Sequence, residues 1–497
     1  SAPRRAFLTN PTVCTPPGVG LETLLRTDSW ENPGRFVTER FVSHLPPAYP
    51  APREDWGPPQ GPTGCDDVPF DAKLTAKPAV PAEPGEPSGW SFDISVPSDD
   101  NPSRLAQGHV KQVRILLPEG VRISPSAALG LQGCSLAQIQ LHSASEPSCP
   151  SASRIGRVEI RTPLLSDTMT GSVFLATPGD NPFRTLIALY LVARGPGVIV
   201  KLPGRVTLDP ESGRITAVFD DNPQLPFEHL RMVLDDGPRA PLSNPESCGR
   251  YETEAQLTSW SGATVTSRSS FMIATGGSGR PCDGSRFAPG MRAGATSAQA
   301  GSATGFSFTM TRDDADQEFG DVTVTLPPGL LARIGEVPLC GNVDANVGRC
   351  AEASRIGSAT TAAGPGPSPF ILPGAVYLTE GYKGAPFGLS IVVPAIAGPF
   401  DLGTVVVRAA VHVDRTDASL RIVSDPLPRV LEGIPLQIRT VNLHVDRHAF
   451  MVNPTNCAPQ RVAARIGSTG GAVVDVSSRF QVGDCGALSY RPRMVLR

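Results

Sequence analysis

The chain has few aromatic residues, few charges and almost no lysine, and each shortage excludes a class of function. Aromatic residues make up 6% of its 497 residues and charged residues 18%, and the formal net charge is −3. Such a chain has no extended basic surface, so neither nucleic acid nor an anionic membrane surface is an expected partner. The five lysines do not recur at a fixed spacing, so crosslinks that need lysine are not expected either.

Long apolar runs and catalytic motifs are also missing from the sequence. No apolar run approaches the roughly 18 residues that span a bilayer, so membrane insertion is not expected. We find no nucleophile elbow, no His-Glu-x-x-His, no phosphate-binding loop and no paired catalytic carboxylates. The sequence therefore predicts a protein that is not an enzyme and has no catalytic residues, although glycosidase carboxylates far apart in the chain would escape such a search.

What the sequence does contain is a long tandem repeat. The pattern Asn-Pro-x-x-Cys occurs at 10–14, 244–248 and 453–457. A Phe follows the second and third of these cysteines by 23 residues, at Phe271 and Phe480. Further landmarks recur about 200 residues apart, which is far longer than a solenoid repeat and fits a domain made of many strands. They include Leu117–Gly120 with Leu326–Gly329, and Ala152–Gly156 with Ala353–Gly357.

These landmarks divide the chain into four parts. Residues 66–282 and 283–485 are two whole repeats, 1–65 is the C-terminal part of a repeat with a proline-rich strap, and 486–497 is the opening strand of another. We expect either that the chain is a piece of a longer array or that its ends are complementary. In the second case a terminal strand would complete a neighbouring molecule, as in strand-donation polymers. Its candidate donor residues are Leu488, Tyr490, Met494 and Leu496.

The ten cysteines fall into pairs at recurring repeat positions, and none is left over. Recurrence is the basis for the pairing, because connectivity cannot be read from spacing alone. Zinc is disfavoured, since there is no Cys-x-x-Cys and no histidine recurs beside a cysteine. Disulfides indicate an oxidising, extracellular or cell-surface location. The predicted pairs are Cys14–Cys65, Cys134–Cys149, Cys248–Cys282, Cys340–Cys350 and Cys457–Cys485.

The apolar pattern predicts an all-β fold. β-Branched or alternating runs bounded by Gly and Pro dominate, and helical periodicity is nearly absent. The run 404–413 alternates imperfectly, which is typical of strands buried on both faces of a sandwich. We predict tandem, disulfide-stapled, Ig-like β-sandwich modules, two in each whole repeat. One would lie around the Leu-Pro-x-Gly strand and a larger one would follow it.

An acidic loop is the only candidate cation site. Asp313, Asp314 and Asp316 could supply oxygen ligands for calcium, but their spacing does not match an EF-hand loop. A solvated acidic turn between two strands explains the same residues. No other cofactor is expected.

The second whole repeat resembles repeats of large secreted proteins of actinobacteria and their relatives. The resemblance rests on Leu326–Leu330, Cys340, Cys350, Ala353–Gly357, Tyr377-Leu378, Gly384–Leu389 and Asn453–Cys457. It implies export and β-rich tandem modules, and it brings no activity or site residues. The first hypothesis is a structural protein of a surface fibre or stalk, with copies of itself as partners. The alternative is an adhesin that binds surface glycan or another surface.

Overall fold

The computed structural model describes residues 10–44, 56–80, 82–98, 104–274, 286–489 and 493–495. The prediction of an all-β fold with sandwich-like sheets is confirmed, and the two α-helices have only four and five residues. No helix in the described part is long and apolar enough to cross a membrane. Ahead of the first repeat lies an antiparallel hairpin of β1 (Glu22–Ser29) and β2 (Asn32–Val42).

The first repeat forms one eleven-stranded antiparallel sheet and a small three-stranded sheet. Along the large sheet the strand order is β3-β5-β13-β8-β9-β10-β11-β12-β6-β15-β16, and the small sheet is β4-β14-β7. The elements are β3 (Lys73–Pro78), β4 (Pro87–Ser88), β5 (Trp90–Ser95), β6 (Val110–Leu116), β7 (Arg122–Ile123), α1 (Leu136–Ile139), β8 (Arg154–Arg161), β9 (Met169–Leu175), β10 (Ile187–Gly195), β11 (Val198–Leu208), β12 (Ile215–Phe219), β13 (His229–Leu234), β14 (Leu242–Ser243), β15 (Gly249–Ser259) and β16 (Thr264–Ile273).

The second repeat has the same strand order at all eleven positions: β17-β19-β29-β22-β23-β24-β25-β26-β20-β31-β32. Its elements are β17 (Gly290–Ala295), β18 (Ala303–Thr304), β19 (Phe306–Thr311), β20 (Phe319–Thr325), β21 (Leu331–Ala332), α2 (Asn342–Asn346), β22 (Arg355–Ala363), β23 (Phe370–Thr379), β24 (Phe387–Ala397), β25 (Phe400–Val413), β26 (Leu420–Ser424), β27 (Val430–Leu431), β28 (Ile434–Pro435), β29 (Ile438–Val445), β30 (Met451–Val452), β31 (Gln460–Ser468) and β32 (Val473–Phe480). The short pair β27–β28 has no counterpart among the strands of the first repeat.

The pairing shows how the Leu-Pro-x-Gly strand is connected to the rest of its repeat. The Leu-Pro-x-Gly strand, β6, was expected in the smaller module, yet it pairs with β12 and β15 of the larger one. Its counterpart β20 pairs with β26 and β31 in the same way. In each repeat these strands belong to one continuous eleven-stranded sheet, in which strands about 100 or more residues apart in the chain are hydrogen-bonded neighbours.

Each sheet curls so that its two outer strands meet, and serine hydroxyls join them. Ser267 Oγ donates to Leu74 O and accepts from Leu74 N, both at 3.0 Å. Ser269 Oγ makes the same pair of bonds with Ala76, at 3.2 and 3.1 Å. In the second repeat Ser478 Oγ donates to Ala293 O at 3.0 Å. Side chains thus replace part of the backbone ladder that would close a regular barrel.

Strand β10 is buried on both faces over its first seven residues. Leu189 and Leu191 belong to the interior core of the sheet. On the outer face Tyr190 packs in a second cluster with Cys134 and Ile139 of the disulfide loop. The loop with α1 therefore acts as an outer cover for this strand.

Candidate functional site at the junction of the repeats

The two repeats meet through the hairpin β24–β25 of the second repeat, which enters the core of the first. Phe400 is 8% exposed and belongs to the first repeat's apolar core, and Leu402 packs against the same core. The turn needs glycine, because Gly398 has a φ of +57° and a Cβ there would lie 2.6 Å from Ala128 O. Burial of one Phe stabilises a contact by about 2 kcal/mol, so this hairpin tip is a substantial part of the junction.

Polar contacts surround this apolar centre. Ser126, which is fully buried, donates from Oγ to Pro365 O at 2.7 Å. Strand β28 lies beside β7 of the first repeat. A Cβ on Gly213, in the turn between β11 and β12, would lie 3.1 Å from Gly433 O between β27 and β28. The extra hairpin of the second repeat is therefore used to contact the first.

An ion-pair network joins the two repeats at the edge of the junction. Arg122 of the first repeat contacts Glu246 at 2.8 Å and Glu318 of the second repeat at 3.1 Å. Arg429 approaches Glu318 at 3.4 Å. The side chains of Arg122 and Glu318 are only 17% and 8% exposed. A pair this shielded fixes geometry, because separating the repeats would leave its charges without their partners.

Two acidic side chains, Glu86 and Asp314, are brought together from the two repeats. Burial raises the pKa of Glu86 above its ordinary value of 4.5, and the charge of Asp314 raises it further. Burial likewise raises the pKa of Asp314 above 3.8, against the opposing effect of Arg439 at 3.0 Å. The junction therefore raises the pKa of both carboxyls above their ordinary values.

We expect the junction to strengthen as the pH falls from neutral towards the ordinary carboxyl pKa of 4.5. A carboxyl whose pKa is raised in the folded state binds protons more readily there than in the unfolded chain, so its destabilising effect is present at neutral pH. That effect is relieved as the pH falls through the folded pKa, and no further gain remains below the ordinary value. Denaturant unfolding followed from pH 7.5 down to the ordinary Glu value of 4.5 should show the gain, and Glu86→Gln should reduce it. An unchanged pH dependence in Glu86→Gln would contradict the assignment.

The candidate calcium residues lie beside this junction and face arginines. Asp313 and Asp316 both contact Arg286, at 3.3 and 3.1 Å. Asp314 contacts Arg439 and accepts from Gly366 N at 3.0 Å. Among the described residues no group of three or more His, Cys, Asp or Glu side chains is placed to hold a metal ion. The acidic loop is thus occupied with charge pairing.

Four disulfides are present in the described part of the chain. They link Cys14 with Cys65, Cys134 with Cys149, Cys340 with Cys350, and Cys457 with Cys485. Cys248 is also disulfide-bonded, and its expected partner Cys282 lies outside the described residues. Cys134–Cys149 and Cys340–Cys350 close the loops that cover β10 and β24. Cys14–Cys65 and Cys457–Cys485 lie beside the hairpins β1–β2 and β31–β32.

Of the four candidate donor residues, two can be placed. Leu488 and Met494 are 38% and 81% exposed, whereas Tyr490 and Leu496 lie outside the described residues. Leu488 follows the Cys457–Cys485 disulfide and lies beside Gly301. Strand donation by this segment therefore stays a prediction.

Comparisons with known proteins do not identify the chain. No protein-family model matches it, and no curated protein matches it. A structure described as "BspA_C_mut" aligns over 83% of this chain and 99% of its own, at 6% identity and a TM-score of 0.18. The Enterococcus faecalis MSCRAMM ACE, described as binding its ligands by the collagen hug model, covers 82% and 94% at 9% identity and 0.17. The B domain of a biofilm associated protein covers 84% and 87% at 8% identity and 0.15. TM-scores this low support no argument about shared fold or function.

The sequence did not reveal the junction. Phe400 reads as an ordinary strand residue, and its counterpart Val198 in the first repeat is 36% exposed. The sequence feature that could have indicated the junction is a difference between the two repeats. The segments 364–369 and 430–435, which reach the first repeat, have no close match in it.

Proposed function

We propose that the chain is a non-enzymatic structural protein of the cell surface, a rod of eleven-stranded units stacked end to end in a stalk or fibre. The observation that carries this proposal is the junction, where the hairpin tip around Phe400 enters the preceding unit's core. This apolar plug, Phe400 with Leu402, lies within a rim of ion pairs and restricts motion between the two units, as a stiff spacer requires. Disulfides in each repeat support an extracellular location.

The proposal predicts that Phe400→Asp makes the rod flexible. A buried carboxylate without a partner is strongly unfavourable, so the tip should leave the first repeat's core. We expect small-angle scattering and negative-stain images to show a broad range of angles between the two units. Val198→Asp, at the matching position of the first repeat, is the control and should leave the angle narrow. A narrow angle in both variants would mean that this plug does not set the rod's stiffness.

We also propose that the rods polymerise head to tail through the terminal segment, in which Leu488, Tyr490, Met494 and Leu496 are the candidate donor residues. Electron microscopy of the unreduced protein should then show filaments. The same protein without residues 488–497 should give single particles. Single particles in both samples would remove the polymerisation step and leave a stalk.

A further inference from the structure

The hairpin β1–β2 is exposed along its whole length. Every residue of both strands is exposed, including Leu25 at 59%, Val37 at 61% and Phe41 at 38%. The two strands form a sheet of their own, so the outer edge of β1 carries backbone groups without a strand partner. A long free edge beside exposed apolar side chains is a surface that proteins normally cover.

The counterparts of this hairpin in the two whole repeats show which surface covers such a hairpin. It follows the Asn-Pro-x-x-Cys pattern, as β15–β16 and β31–β32 do. Its tip, Ser29-Trp30, repeats Ser259-Trp260 at the tip of β15–β16. In the whole repeats the first strand of the hairpin pairs with β6 or β20, and the second meets the sheet's opposite outer strand. The hairpin β1–β2 is therefore the counterpart of the two strands that close a unit.

The two faces of the hairpin can be compared with the faces of the closing pair in the first repeat. The register places Thr23 opposite Phe41, Leu25 opposite Glu39 and Thr27 opposite Val37, so Leu25, Val37 and Phe41 share one face. Counted from the Ser-Trp tip, Leu25 corresponds to Ala255, which is fully buried in the first repeat.

The other face carries an ion pair as well as exposed apolar side chains. The carboxylate of Glu22 pairs with Arg40 at 3.0 Å, and Arg26 lies 4.4 Å from the ring centre of Phe36. Leu24, also on this face, corresponds to Glu254, which is exposed in the first repeat. Because Leu25 corresponds to the buried Ala255 and Leu24 to the exposed Glu254, the face with Leu25 is the one that a complete unit would cover.

We infer that β1–β2 docks onto the open edge of another unit of the same kind, one whose sheet lacks its own closing hairpin. The outer edge of β1 would pair with that unit's Leu-Pro-x-Gly strand, and the face with Leu25 would cover its core. In the described residues neither β6 nor β20 offers this edge, because each has a strand on both sides. This inference adds a second kind of contact between units to the proposed rod. It rests on the proposed function only in taking the partner to be another unit of the same kind.

The test supplies such a unit in the same polypeptide. Residues 66–243 are placed directly before Asn10 of the full chain, so that Asn10-Pro11 follows Ser243 as Asn244-Pro245 does. We expect the added strands to fold, with images showing three units in place of two. Amide exchange along the edge of β1 should slow by about 100-fold as these groups enter a ladder.

Trp30 gives a local readout. It is fully exposed in the structure, whereas Nε1 of Trp260 donates to Asn222 O at 3.0 Å and its ring lies 5.1 Å from the ammonium of Lys111. In the extended chain Trp30 should reach the matching positions, so its emission should shift to the blue and its quenching by acrylamide should fall. The same chain with Trp30→Phe identifies its part of the signal.

A matched pair of variants tests which face is used. Leu25→Asp should leave the added strands sensitive to protease, whereas Leu24→Asp, its neighbour on the other face, should not. Added strands that stay unfolded, or equal effects of the two variants, would overturn the inference. A dimer of the unmodified chain that Leu25→Asp and Leu24→Asp weaken equally would also overturn it. That result would mean that the edge of β1 pairs with the hairpin of a second copy. Phe400→Asp changes only the junction between the two repeats. Failure of the rod proposal can therefore be distinguished from failure of hairpin docking.

Discussion

Replacing Ser267 and Ser269 together by alanine should lower the free energy of unfolding of the first repeat by about 4 kcal/mol. Each hydroxyl satisfies both the N–H and the C=O of one residue on β3, and a buried polar group left without a partner costs about 1–3 kcal/mol. The double variant would strand four such groups at the line where the sheet closes. We expect urea unfolding, followed by the fluorescence of the buried Trp90, to show the loss.

Ser270→Ala is the matched control for this closure. Ser270 lies on the same strand with the opposite side-chain direction, and its neighbours at 267 and 269 make the bridging bonds. Its loss should change stability by less than about 0.5 kcal/mol, as for most surface substitutions. Equal effects of the two changes would show that the hydroxyl bridge does not hold the outer strands together.

The fold class follows from sequence patterns that local chemistry controls. Runs such as 404–413 are apolar because β25 is covered on both sides over part of its length. The role of Ser267 and Ser269 could not be predicted from the sequence, because they hydrogen-bond to a strand that lies 193 residues away in the chain. The same holds for the eleven-stranded sheet of each repeat. Its pairings join distant segments, and nothing in the residues of β6 alone selects β15 as a neighbour.

The candidate site shows the same limit. The acidic residues around Asp314 were visible in the sequence, but the arginines that face them lie far along the chain or in a separate loop. The charges that surround a carboxylate depend on which distant segments fold against it, so they could not be read from the acidic run alone, and calcium binding stays a prediction. The junction was hidden for a related reason: a Phe at a hairpin tip is informative only when the surface that receives it is known.

One motif in the repeat gains a physical explanation from the structure. Ala-Ser-Arg-Ile-Gly recurs at 152–156 and 353–357, and in both copies the pairing to the next strand shifts register immediately before the Gly. The glycines lie against the backbone of β13 and β29. A Cβ on Gly156 would be 2.4 Å from Val233 O, and one on Gly357 would be 2.1 Å from His444 O. The bulge turns the strand inward at a place where only a hydrogen atom fits.

Gly357→Ala should therefore destabilise the second repeat by more than about 3 kcal/mol, because the atom it strikes is backbone in the middle of a sheet and cannot turn away. Gly294→Ala is the control within the same sheet, since a Cβ there would meet nothing within 4 Å. It should be neutral or slightly stabilising, as expected when a Gly in a strand gains a side chain. Comparing the unfolding temperatures of the two variants distinguishes a clash with nearby backbone from a general effect of replacing a strand glycine by alanine. If both unfold at the parent's temperature, the recurrence of this glycine needs another cause. If only Gly357→Ala falls, the spacing between β22 and β29 is the constraint that both copies of the motif share.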